Sequence, residues 1–127
     1  MWRMVMAGVA GLVIGFPAQA SEMDGSYLAV IGPSDLTNSR GERLRRPAQV
    51  LRQDRANVHR FGIRQEGDDI DPFFDRPEKR NEIDAMLGRG QITPEVGRAI
   101  LAGDVSIFVR VYHNGEGTPA MDVILLR

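Results

Sequence analysis

The stretch Asp104 to Leu126, DVSIFVRVYHNGEGTPAMDVILL, decides the fold class. Up to His113 it is dense in β-branched and aromatic residues, Asn114-Gly115-Glu116-Gly117 supplies turn chemistry, and Thr118 to Leu126 returns as a second strand. Val105, Ile107, Val109 and Val111 share one face at the two-residue period, while Phe108 and Tyr112 put apolar bulk on the other. Both strands carry too much apolar surface for an isolated hairpin, so helices are expected over at least one face.

Ser26 to Ile31, SYLAVI, is another short run of strand formers, closed by Gly32-Pro33. The polar segment from Asp35 to Arg46 reads as an exposed connection. Pro47 suits the first turn of a helix, and AQVLRQDRAN after it supplies helix formers. Carried to Phe61, that helix would align Val50, Leu51, Val58 and Phe61 on one stripe with Asp54 in its middle. A buried carboxylate without a partner is costly, so either an arginine pairs it or the helix stops near Asn57 with Asp54 at a frayed or exposed edge. The alternation in Arg60-Phe61-Gly62-Ile63-Arg64 favours the second option and a further strand there.

EGDDIDPFFD, Glu66 to Asp75, reads as a loop with Phe73-Phe74 plugged into the core beneath it. Asp75 and Glu78 have capping-box spacing, and Ile83, Met86 and Leu87 give the next helix an apolar side before Gly88 and Gly90 end it. Thr93-Pro94-Glu95 starts a further helix, which Gly103 closes. The expected architecture is α+β: a small, mostly antiparallel sheet, made of the C-terminal hairpin and the N-terminal strand, covered by about three helices. Within it MLGRGQITPEV, Met86 to Val96, resembles the G-x-I-T-x-E core of the SHOCT-type short bacterial helical hairpins, through Gly90, Ile92, Thr93 and Glu95. That resemblance spans about a tenth of the chain and implies an interaction-prone hairpin.

The first twenty residues are set apart. Arg3, the uncharged apolar run Met4 to Phe16 and the small-residue site Ala18-Gln19-Ala20 have the three zones of a secretory signal, with cleavage expected after Ala20. Thirteen residues at the helical rise reach roughly 20 Å, too short for a hydrocarbon core of about 30 Å. The expected product is one exported domain, residues 21–127, periplasmic or secreted, with no membrane span after cleavage. It has no cysteine, which rules out disulfides, thiol catalysis and cysteine metal sites.

Charge is distributed in blocks. From Arg40 to Arg64 eight arginines stand against Glu42 and Asp54, a balance of +6; from Glu66 to Asp84 eight acids stand against Arg76, Lys79 and Arg80, a balance of −5. Adjacent opposite blocks can fold against each other, and the arginine fork suits carboxylates, so internal ion pairing is the plainer reading. The sharper one is an anion-binding face: Arg52, Arg55 and His59 share a side of the helix, and Arg43, Arg45 and Arg46 lie just upstream. Such a face would meet phosphate, sulfate, lipid headgroups or an acidic protein, which makes the chain a non-enzymatic binding or accessory protein with a protein or anionic envelope partner. Net negative charge and the lack of interleaved aromatics argue against nucleic acid.

Catalytic constellations are missing: the sequence has two histidines, His59 and His113, and no serine elbow, HExxH or phosphate-binding glycine loop. No catalytic residue, metal or cofactor is implied. Two alternatives remain: a small enzyme whose histidine meets a carboxylate only in space, and a calcium-stabilised domain using Asp68, Asp69, Asp71 and Asp75. The latter departs from the EF-hand, because Phe73 and Phe74 occupy a ligand and the glycine position.

Overall fold

The structure, a computed structural model, describes residues 22–126; the proposed signal segment lies outside them. Three antiparallel strands, β1 (Glu22–Ile31), β2 (Val105–His113) and β3 (Pro119–Leu125), form one sheet in that order. Four helices follow β1 and precede β2: α1 (Pro47–Ala56), which runs on into a π-helical turn (Asn57–Phe61), α2 (Pro77–Arg80), α3 (Ile83–Arg89) and α4 (Pro94–Ala102). The α+β class, with the hairpin and the N-terminal strand in one antiparallel sheet under helices, is the one read from the sequence. No helix among the described residues is long and apolar enough to cross a membrane.

Strand register explains the core. Tyr27, Ala29 and Ile31 of β1 pair with Val109, Ile107 and Val105, and Val109 and Val111 pair with Val123 and Met121 of β3, so one face is apolar throughout. Val50 and Leu51 of α1, Ile83, Met86 and Leu87 of α3, and Val96 and Ile100 of α4 close on it. Each fully buried aliphatic side chain is worth about 1.5–3 kcal/mol of transfer free energy. Phe74 is buried and meets Tyr27 edge-on at 6.1 Å, and Phe73 packs partly buried beside it, as expected of the segment under the acidic loop.

Both edges of this small sheet are covered. Along β1 the cover is made largely of side chains: the backbone N–H groups of Leu28 and Val30 donate to Asp69 Oδ2 and Asp68 Oδ1, each at 2.8 Å, and Asp69 N–H donates to the Leu28 carbonyl at 2.9 Å. Along β3, Val123 N–H donates to the Gln91 carbonyl at 3.0 Å, Gln91 N–H donates to Asp122 Oδ1 at 2.8 Å, and Arg89 Nε donates to the Pro119 carbonyl at 2.7 Å. An open edge is a template for strand pairing, so these loops remove two such templates.

Four local expectations need correction. Residues 60–64 form no strand, because Gly62 turns the chain through the left-handed region at φ 69° and the β1 edge is already occupied by the aspartates; Phe61 and Ile63 are exposed. The helix does not stop with Asp54 at an exposed edge: it continues through the π-helical turn, and Asp54 is buried. The cap before α2 is Arg76 rather than Asp75, since Pro77 takes the first helical position, and α2 is separate from α3. Gly88 lies inside α3 rather than at its end. The start of α4 is as read, with Thr93 Oγ1 accepting the Val96 N–H at 3.2 Å. Gly90 and Gln91, at the core of the helical-hairpin resemblance, are pinned against β3.

Candidate anion-binding groove

The arginines separate into used and unused. Arg55, at the end of α1, has 0% exposure. Its Nε donates to Asp54 Oδ2 at 2.8 Å, and one Nη reaches Asp71 Oδ1 at 2.7 Å and the Asp69 carbonyl at 3.0 Å. The other Nη lies 2.8 Å from Asp54 Oδ2 and 3.5 Å from Asp68 Oδ1, and the guanidinium carbon stands 4.4 Å from the Tyr27 ring centroid. His59 Nε2 is 2.8 Å from the same Asp71 Oδ1, with its side chain nearly buried. Both residues therefore leave the expected surface set. They hold the acidic loop down, and Asp71 Oδ2 meanwhile accepts the N–H groups of Phe73 and Phe74.

Asp54, Asp68 and Asp71 surround one guanidinium, and the charge of buried Asp35 bears on Asp54 in turn, so burial and like charge oppose ionisation of Asp54. Burial raises Asp54 well above the carboxylate range despite Arg55, and burial raises Asp35 as well. Asp54 Oδ1 is buried without a hydrogen-bond partner. Burial also opposes ionisation of Asp71, but the bonds from His59 and Arg55 outweigh it and hold that carboxyl below its ordinary value.

The two shifts act on stability with opposite signs. Asp71, depressed, stabilises above its unfolded value near 3.9, and that contribution is lost as pH falls through its lower folded pKa. Asp54, raised, erodes stability as pH rises above about 3.9, because the unfolded chain ionises there while the folded one does not. Urea unfolding of Asp54→Asn at a series of pH values is therefore expected to show the variant gaining on the native chain as pH rises from about 4 towards neutrality. Asp71→Asn is expected to cost about 3–5 kcal/mol at neutral pH, the usual penalty of breaking a buried pair.

The other predicted residues sit at the surface. Arg46 pairs with Asp84 at 2.8 Å, and this bond, aided by the field of Arg52, holds Asp84 below the usual carboxylate range. Arg43 is exposed and donates to the Leu101 carbonyl at 2.6 Å. Arg45 is exposed, and neither it nor Arg52 has a carboxylate partner among the described residues.

Arg52 opens into a groove of about 310 Å³ that sequence reading did not assemble. Gln49, Arg52, Gln53 and Ala56 form one face of α1 at spacings of three, four and seven, and this face meets Arg80 and Asn81 at the end of α2, with Asn38 and Leu44 at the side. Gln49 Oε1 accepts the backbone N–H groups of Arg45 and Arg46 at 3.1 Å, which leaves its amide nitrogen for other partners. Arg80 is buried and spends one Nη on the Phe74 carbonyl at 3.1 Å. The lining holds two guanidinium groups, four side-chain amides and no carboxylate.

The acidic loop is organised differently. Asp68, Asp69 and Asp71 accept backbone N–H groups, and among the described residues no three histidine or acidic side chains are grouped to hold a metal ion. No family model matches the chain, and no curated protein and no solved structure matches it either.

Proposed function

We propose that this chain is an exported, non-enzymatic binding or accessory protein that holds a phosphate- or sulfate-bearing group of an anionic envelope component in the Arg52–Arg80 groove. Export rests on the composition of the first twenty residues. The supporting observation for the site is a concave, carboxylate-free lining in a molecule whose net charge is slightly negative. Arg80 is buried and fixed by its bond to the Phe74 carbonyl, and Arg52 is half-buried beside it. The forked geometry of both guanidinium groups suits tetrahedral oxyanions, and the amides of Gln49 and Asn81 add neutral donors. Arg43 and Arg45 flank Leu44 of the rim in the chain and extend the positive approach. Arg55 and His59 serve this function only by holding α1 in place.

Retention on an immobilised sulfated polysaccharide tests the reading. It is expected to weaken as salt rises, and Arg52→Gln is expected to lower affinity about tenfold, the loss of one charge-assisted contact, without changing the melting temperature. Retention that survives Arg52→Gln and Arg52→Glu unchanged would remove the groove as the site.

A further inference from the structure

A second concavity, of about 890 Å³, shares no lining residue with that groove. It opens between the hairpin end of the sheet and the segment carrying α2 and α3. Its floor is apolar, formed by Phe73, Phe74, Met86 and Val111.

One wall is built by a bulge in β1. Pairing passes from Met23 opposite Tyr112 to Gly25 opposite Val111, so Asp24 is the extra residue. Gly25 has φ 152°, and a Cβ there would stand 2.6 Å from Phe73 Cζ, so the Phe73 ring lies on the glycine itself. Bulges re-aim side chains, and this one turns Asp24 onto His113: both carboxylate oxygens lie within 3.0 Å of Nδ1. The side-chain hydrogen bond from Asp24 raises the His113 pKa above its ordinary value. His113 Nε2 stands 3.7 Å from Glu22 Oε1.

Across the floor the other wall carries Arg76 and Lys79, with Asp75 and Glu82 beside them. Arg76 has Glu78 as a neighbour at 3.9 Å, longer than a hydrogen bond, and Lys79 has no carboxylate within ion-pair reach among the described residues.

We propose that this cleft binds a short peptide with free ends, an apolar side chain resting on the Phe73–Met86 floor, the ammonium on the Asp24 wall and the carboxylate towards Arg76 and Lys79. A simple anion has no advantage in a lining that balances both signs, whereas a dipolar molecule meets a complementary group on each wall. Ligand pockets commonly combine an apolar surface with a few convergent polar groups in this way.

The probe is the tripeptide alanyl-phenylalanyl-alanine, followed by the imidazole NMR signals of His113 in the intact chain. Binding is expected with Kd of about 1 mM or tighter. The same peptide acetylated and amidated at its ends is expected to bind at least about tenfold more weakly, as is the native peptide to the exposed double variant Arg76→Gln, Lys79→Gln. Arg52→Gln is expected to leave this binding unchanged, which separates it from the anion groove. The proposal is overturned if the tripeptide does not perturb His113, if the capped peptide binds equally well, or if the double variant retains native affinity.

Discussion

Arg55→Leu is expected to unfold the domain or to strip about 3–5 kcal/mol from its stability, a large share of the roughly 5–15 kcal/mol that holds a domain of this size. Leucine would fill part of the space, but it would leave Asp71 ionised, Asp68 facing an apolar group and the Asp69 carbonyl without its donor, all in the interior. Because Asp68 and Asp69 cover the β1 edge, the damage would spread to the sheet. Arg55→Lys is expected to fail almost as badly. A single ammonium cannot reach Asp54, Asp71 and the Asp69 carbonyl in three directions while stacking on Tyr27, as the planar fork does. Urea unfolding followed by far-UV circular dichroism measures the loss. A variant that kept native stability and lost only anion retention would return Arg55 to the surface and refute the buried cluster.

Arg55 also shows what could and could not be read from the chain. Two opposite charge blocks are visible as composition, and their near cancellation announces internal pairing. Which arginine is consumed depends on positions 27, 54, 68, 69 and 71 arriving at one point, and no local period encodes that meeting. The sheet was legible because strand alternation in β2 and β3 is a short-range property, strengthened by a glycine-rich turn whose Asn114 Oδ1 accepts the Glu116 and Thr118 N–H groups. Thr93-Pro94 was legible for the same reason. The misreading at residues 60–64 came from granting alternation more weight than Gly62, when the neighbouring edge was already filled by carboxylates of the acidic loop, whose expected partners were arginines rather than the strand backbone. The groove had a partial signal in the Gln49, Arg52, Gln53, Ala56 stripe, but Arg80 lies in the acidic block, where a count by blocks conceals it. The Asp24 bulge leaves only Gly25 as its trace in the sequence.

Gly90→Ala and Gly88→Ala, two positions apart in one motif, are expected to move stability in opposite directions. A Cβ on Gly90 would stand 1.8 Å from the Met121 carbonyl oxygen, 2.6 Å from its carbon and 2.9 Å from Asp122 Oδ1. The first two are backbone atoms of a paired strand and cannot swing aside as a flexible side chain would. Relief requires the 89–91 connection to lift off β3, which lengthens the Val123–Gln91 and Gln91–Asp122 hydrogen bonds and frees the sheet edge they cover. Overpacking at about 1–3 kcal/mol, with roughly 1 kcal/mol for each weakened bond, places the expected cost of Gly90→Ala at about 3 kcal/mol or more. Gly88 is exposed within α3, and a Cβ there meets nothing within 4 Å. Alanine at that position is expected to stabilise by about 0.5–1 kcal/mol, because it removes the entropy that glycine loses in a helix. Thermal unfolding of the two variants beside the native chain gives the signs directly. Equal stabilities would mean that the connection does not lie against β3, and with it would go the explanation of how this edge is kept from pairing with another chain.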